Sequence, residues 1–275
     1  MATSRDLYAV IGNPVEHSKS PLIHARFAEQ TGQAIDYGRL LAEVDGFNEA
    51  ADSFREQGGK GLNVTVPFKL DACDYADELT ERARLAQAVN TLSFAEDGKV
   101  VGDNSDGAGL VADLQKNLGV QLHSADILIL GAGGAARGVL GPLLAEQPRH
   151  IVIANRSMEK AILLAEHFHT WGEVCGCGYE GLGTQAFDLI INATSMGLSG
   201  QMPTLPSTIL KPAAVVYDMA YGNEPTAFVK WGQAQGASQA ADGLGMLVEQ
   251  AAESFFIWRG TRPDTRTLLA ELSAR

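Results

Sequence analysis

Two stretches of this chain carry residues at spacings that chemistry can use. The first is GAGGAA at 131–136, which fits G-x-G-x-x-G/A through Gly131, Gly133 and Ala136. In such a turn the first glycine permits a tight bend and the second lets the backbone approach a pyrophosphate. The alanine allows close helix packing, and the helix start offers free N–H groups to phosphate oxygens. A turn shaped only by packing would carry the same glycines. The apolar run DILIL before it, a helix after it and a second strand at the right distance favour dinucleotide binding. Ala132, Gly134 and Ala135 complete the turn and belong to the same expected contact set. The second strand ends IANRS, giving Asn155, Arg156 and Ser157, with Lys160 one turn on. No carboxylate stands there to hold a ribose hydroxyl or repel a 2′-phosphate. Arg156 offers a planar fork of donors and Lys160 a point charge, so NADP is expected over NAD. Solvated charges at a helix start are the plain alternative.

The second stretch is GLNVTVPFK at 61–69, an alternation of apolar Leu62, Val64 and Val66 with Asn63, Thr65 and Pro67 that ends by delivering Lys69. Other polar groups fall where strands of the first third should end. Ser18 and Ser20 lie in GNPVEHSKSP. If Ser20 caps the following helix, both hydroxyls stand near a positive helix end, a good place for a carboxylate. Asn90 sits in AVNT, and Asp106 opens a helix in GDNSDG, where a lone aspartate is most often a cap. Gln250 lies on an apolar helix face between Leu247 and Ser254 and needs a partner there.

The elements that must position these groups alternate. Strands are expected at 7–12, 37–44 and 63–67, and helices at 21–32, 47–59 and through 68–88. The helix from 21 is expected to have Ser20 as N-cap, Pro21 first and Gly32 past its end. A hairpin is expected over 91–102 with Asp97-Gly98 at its turn. A helix over 106–119 precedes a fresh unit with strands at 126–130, 151–155, 187–193 and 214–220. Helices over 243–260 and in the final RPDTRTLLAELSA close the chain. The fold class is therefore α/β. A substrate-binding domain with a mostly parallel sheet spans 1–106 and is completed by 243–275. A Rossmann-like, doubly wound domain spans 107–242, and a cleft is expected between them.

Composition sets bounds. The 275 residues are 45% apolar and 20% charged, with a formal net charge of −12. Such acidity argues against nucleic acid or an anionic membrane as partner, while leaving room for a local anion pocket. No apolar run approaches the roughly 20 residues that span a bilayer. No secretory leader is evident, and Cys73, Cys175 and Cys177 make no disulfide framework, so a cytoplasmic setting is expected.

HSKSP, NVTVPFK, AVNT, GDNSDG, GAGGA, NRS, INATS and ADGLGMLVEQAA occur in that order from residue 17 to 252. Together they resemble the shikimate dehydrogenase family over essentially the whole chain. The resemblance implies reversible hydride transfer between NADPH and the 3-keto group of 3-dehydroshikimate. It implies Lys69 and Asp106 as the catalytic pair, Ser18, Ser20 and Tyr221 on the substrate carboxylate, and Asn63, Thr65, Asn90, Asp106 and Gln250 on ring hydroxyls. It also implies that Thr194 and Ser195 line the cofactor cleft, with Met219 near the nicotinamide and Gly243 letting backbone lie against its amide. Burial would lower the pKa of Lys69 and a neighbouring Asp106 would raise it, so the pair is expected to act as a linked unit. Serine stands at 105 and 157 where the family often has threonine. Lys160 replaces a common arginine and gives up bidentate geometry, which weakens the phosphate clamp.

His167, His169, Cys175 and Cys177 could in principle bind zinc, but H-x-H and C-x-C are not the usual finger spacings, and no metal is expected. His17 and His24 are read as loop and helix-face residues. Two rival readings stay open. One is a quinate/shikimate dehydrogenase with relaxed cofactor use, against which both serines stand. The other is a non-catalytic dinucleotide sensor, against which Lys69 and Asp106 stand. Monomer and homodimer are both compatible with the sequence.

Overall fold

A computed structural model describes residues 5–194 and 202–274. The chain divides into two compact units, Met1–Gly109 with Leu247–Ala274, and Leu110–Met246.

The first unit begins with β1 (Asp6–Gly12), α1 (Ser20–Thr31), β2 (Ile35–Leu41), α2 (Phe47–Glu56) and β3 (Gly59–Val64). It continues with α3 (Lys69–Tyr75), β4 (Glu78–Leu79), α4 (Glu81–Ala86), β5 (Thr91–Phe94) and β6 (Val100–Asp103). The strand order is β2-β1-β3-β5-β6-β4. β1 runs parallel to both β2 and β3, and β5 is antiparallel to β3 and β6. Ile11, Leu62, Val64, Phe68, Val89 and Leu92 pack in one core cluster of this unit.

Three local expectations need correction. The third strand stops at Val64, and Val66 is 69% exposed rather than part of an apolar face. Past Val64 the chain still bonds to the end of β1, with Thr65 N–H donating to Ile11 O (3.0 Å) and Val66 O accepting from Asn13 N–H (3.1 Å), and regular pairing runs out at Pro67, which has no N–H to donate. Residues 68–88 are two short helices, not one. Asp77 exchanges bonds with Val100 through its backbone N–H and its carboxylate, which draws Glu78 and Leu79 into the sheet. Thr80 then caps α4 by accepting from Ala83 N–H. Finally, Ser20 is the first helical residue and Lys19 the N-cap. The Ser20 N–H is satisfied by Ser18 Oγ (3.2 Å), a hydroxyl two residues upstream that outcompetes capping from within.

α5 (Asp106–Ala112) leads through a π turn at Asp113–Asn117 into the second unit. That unit holds β7 (Asp126–Leu130), α6 (Gly134–Ala145), β8 (His150–Ala154), α7 (Met158–Phe168) and β9 (Val174–Cys177). β10 (Phe187–Asn192), β11 (Leu210–Asp218), α8 (Ala227–Ala234) and β12 (Gln239–Ala241) follow. All its pairings are parallel, in the order β12-β11-β10-β7-β8-β9. Counted from β7, this is the 3-2-1-4-5-6 order of the Rossmann fold, with its reversal between β7 and β10. β7 is buried at every position, as its unbroken apolar run predicts. β9 and β12 escape sequence reading because they are short, partly exposed edge strands without alternation. α9 (Leu244–Arg259) and α10 (Arg266–Ser273) end the chain. No helix of the described residues is long and apolar enough to cross a membrane.

Candidate active site

In the first unit the polar groups converge on one hydrogen-bonded cluster. Lys69 opens α3 and its ammonium pairs with the Asp106 carboxylate. The lysine side chain is 33% exposed and the aspartate 18%, so the pair is sheltered yet open to a ligand. Asp106 opens α5 but does not cap it; its N–H is taken by Asn104 Oδ1 (3.1 Å). Its free oxygen accepts from Asn90 Nδ2 (2.8 Å). The Asn90 amide can point only one way, because its oxygen already receives the Ser105 backbone N–H (2.8 Å). The asparagine therefore donates to Asp106 and keeps that carboxylate an acceptor for lysine.

Behind Asn90 lies a buried layer. Thr91 Oγ1 donates to Asn90 Oδ1 (2.9 Å), and Ser254 lies 2.8 Å from Thr91 Oγ1 and 3.1 Å from Ser105 Oγ. Asn63 donates to Ser254 (2.9 Å) and accepts from the Tyr37 hydroxyl (2.7 Å). Asn63, expected to meet a ring hydroxyl, thus spends its amide on the protein, and it is 6% exposed. Thr65 differs: its hydroxyl has no hydrogen bond among the described residues. Gln250 Oε1 lies 3.4 Å from both Asn90 Nδ2 and Ser105 Oγ, which supplies the partners its apolar face demanded. Ser20 is buried beside Tyr37, whose pKa burial raises while the Ser20 side chain opposes that rise.

His24 is wholly buried, not an ordinary helix-face residue. Its ring stacks on Tyr37 at 4.1 Å, and neither nitrogen finds a partner of normal geometry among the described residues. Burial pushes its pKa down to about 3, with the Asn63 side chain opposing, so the imidazole is neutral. Sequence reasoning missed Tyr37, Thr91 and Ser254. Only Ser254 left a signal, as a second polar residue one turn beyond Gln250 on the same face.

In the second unit, Gly131 takes φ +105 directly after β7, and a side chain there would press on Ala193 O at 3.1 Å. Glycine is required on both counts. Ala132 and Gly133 complete the bend, and Gly134 and Ala135 open the 12-residue α6. A Cβ placed on Gly133 or Gly134 would meet nothing within 4 Å. Open space above free helix N–H groups suits a pyrophosphate. Beyond β8, Asn155 Nδ2 donates to Ser157 O (2.9 Å), which shapes the loop. Arg156 and Lys160 are exposed there. A cationic pair with no carboxylate at the strand end suits a 2′-phosphate. The residues present therefore fit an NADP-type dinucleotide.

Thr194 follows β10, and both its N–H (3.1 Å) and its hydroxyl (2.7 Å) bond to Asn192 Oδ1. Asn192 in turn donates to Asp218 (3.0 Å), which also accepts from Ala220 N–H and the Thr226 hydroxyl. Burial raises the pKa of Asp218, opposed by these donors. This clamp fixes the segments holding Thr194, Met219 and Tyr221. Gly243 N–H donates to Ala220 O (3.0 Å), and a Cβ on Gly243 would lie 2.2 Å from Met219 O. Ser195 lies outside the described residues. Cys175 and Cys177 share one face of the edge strand β9, His167 and His169 lie at the end of α7, and no metal-binding group of three is formed among the described residues.

The fold and these strand-end residues define a two-unit α/β protein with a Rossmann-type dinucleotide unit. Three family models match in sequence. They are shikimate dehydrogenase substrate binding domain at 10–92, shikimate/quinate 5-dehydrogenase at 113–198, and shikimate 5′-dehydrogenase C-terminal domain at 243–272. The shikimate dehydrogenase (NADP(+)) of Laribacter hongkongensis is 54% identical over 98% of both chains. Among solved structures, an Ael1 enzyme from Pseudomonas putida is 48% identical, with a TM-score of 0.92 over 98% of both chains. Shikimate 5-dehydrogenase from Thermus thermophilus, solved with NADP(H) and shikimate, is 30% identical, with a TM-score of 0.86 over 98% of this chain and 99% of that one. The chain belongs to the shikimate dehydrogenase family.

Proposed function

We propose that this protein catalyses the reversible NADPH-dependent reduction of 3-dehydroshikimate to shikimate. The single observation that carries the reading is the Lys69–Asp106 pair, oriented by an asparagine whose polarity is fixed. When bound, NADPH supplies the hydride, and its oxidised form takes it back in the reverse direction. The chain's own residues manage charge and proton. Hydride arriving at the keto carbon leaves negative charge on oxygen, and the Lys69 ammonium stabilises that oxygen and passes it a proton. In reverse, neutral Lys69 accepts the hydroxyl proton. Asp106 holds the amine in place.

Ser18, Ser20 and Tyr221 take the substrate carboxylate. Thr65, with its uncommitted hydroxyl, joins Asn90, Asp106 and Gln250 around the ring hydroxyls. Asn63 serves by holding its neighbours. On the cofactor side, Gly131, Ala132, Gly133, Gly134 and Ala135 take the pyrophosphate. Asn155, Arg156, Ser157 and Lys160 take the adenosine end with its 2′-phosphate. Thr194, Ser195, Met219 and Gly243 take the nicotinamide end. The two catalytic groups and the serines belong to a substrate domain of 1–106 completed by 243–275, and the cofactor residues from Gly131 to Met219 to a nucleotide domain of 107–242. Three free cysteines support a cytoplasmic setting.

The test is spectrophotometric. Shikimate with NADP should raise absorbance at the reduced-nicotinamide band, while NAD or quinate should give a much weaker signal. Silence with shikimate and either nucleotide would remove the enzyme reading. Equal rates with quinate, or with NAD, would replace it by the broader quinate/shikimate activity.

A further inference from the structure

β2 carries none of the motif residues, yet one of its faces indexes both serines of the carboxylate loop. Tyr37 and Arg39 are two apart on this strand and so point to the same side. Tyr37 lies beside the Ser20 side chain and donates to Asn63 (2.7 Å). Arg39 Nη2 donates to the backbone oxygen of Ser18 (2.7 Å). That bond is the sole partner of Arg39 among the described residues: no carboxylate neutralises its guanidinium. Arg39 is exposed, and in a chain of net charge −12 its guanidinium stands as a local positive potential beside the serine loop, open to an arriving anion. The strand register holds it firmly, because Arg39 pairs with Val10 in the parallel ladder to β1, the strand that feeds the serine loop.

We propose that Arg39 is a positioning and specificity residue. It fixes the Ser18–Ser20 loop through the Ser18 carbonyl and supplies the positive potential that selects a carboxylate-bearing substrate. The inference rests on the shikimate reading above. A carboxylate bound by the serine loop would lie within the field of this guanidinium. Discrimination between the acid and an uncharged ester then depends on this side chain more than on the serine hydroxyls, which can hydrogen-bond either form.

The experiment compares shikimate with its methyl ester as substrates for wild-type protein and for Arg39→Ala, Arg39→Lys and Arg39→Gln. Wild-type oxidation of shikimate with NADP is established first; its absence would overturn the shikimate reading and this inference with it. Given that activity, Arg39→Ala should raise KM for shikimate about five- to twentyfold, with kcat and KM for NADP within about twofold. The preference for acid over ester should fall by a similar factor. Arg39→Lys should recover most of that preference. Arg39→Gln, which keeps a donor for the Ser18 carbonyl but no charge, should not. An unchanged KM for shikimate in Arg39→Ala would overturn the proposal, and so would an equal loss for acid and ester.

Discussion

On the proposed mechanism the value of the Lys69–Asp106 pair lies in the transition state, because charge appears on the substrate oxygen only as the hydride arrives. Lys69→Ala is expected to leave KM for shikimate within about tenfold while kcat falls by on the order of 10²–10⁴. Steady-state kinetics decide this, and parallel losses in binding and turnover would deny the lysine its role. His24 makes a different demand. Its folded pKa of about 3 lies below the ordinary histidine value of 6.5, so the unfolded chain binds the extra proton first. Its contribution is intact above pH 6.5 and is lost as pH falls from there toward 3. Between pH 7.5 and 5 the cost is about 2 kcal/mol. Denaturant titrations should show this loss in the wild type and a correspondingly smaller one in His24→Phe. A slope unchanged by the substitution would mean that other groups govern acid stability.

Among elements, the strand-to-helix turns do most of the placing. Gly243 shows how little tolerance they have. An alanine methyl would have to stand where Met219 O already is, 2.2 Å away, so the 219–221 segment must move. Gly243→Ala is expected to cost about 1–3 kcal/mol and to raise KM for NADP. Thermal melting together with cofactor kinetics would show it, and a variant with native stability and native KM would contradict it. Such turns were readable in the sequence because glycine, serine and proline punctuate them and apolar runs such as DILIL flank them. β9 and β12 were not, since short edge strands bury too little to need a pattern. The joined helix expected over 68–88 failed for a related reason: helical spacing across Asp77–Thr80 is local, and sheet pairing with Val100 is not. In the site, Lys69, Asn90 and Asp106 were legible from their places at strand ends. Tyr37 was not, because a tyrosine alternating along a strand looks the same whether or not its hydroxyl meets an asparagine 26 residues away.

For the molecule as a whole, dinucleotide binding and stability are one measurement. A ligand at about 100 times its Kd raises stability by about 2.7 kcal/mol, so melting reports binding without turnover. Arg156→Ala should melt like the wild type when alone, lose most of the shift produced by NADP, and keep that produced by NAD. Equal loss with both nucleotides would place the 2′-phosphate elsewhere. The order of the chain carries a last consequence. The first unit is interrupted after Gly109 and resumes only at Leu247. Ser254, which receives a bond from Asn63 191 residues upstream, and Gln250, 160 residues beyond Asn90, therefore leave the ribosome late. A nascent chain stalled before α9 already possesses every glycine of the nucleotide turn, yet the polar cluster behind Lys69 lacks two of its members. Translation thus delivers the second unit before the first can complete its polar cluster, which awaits the final helices.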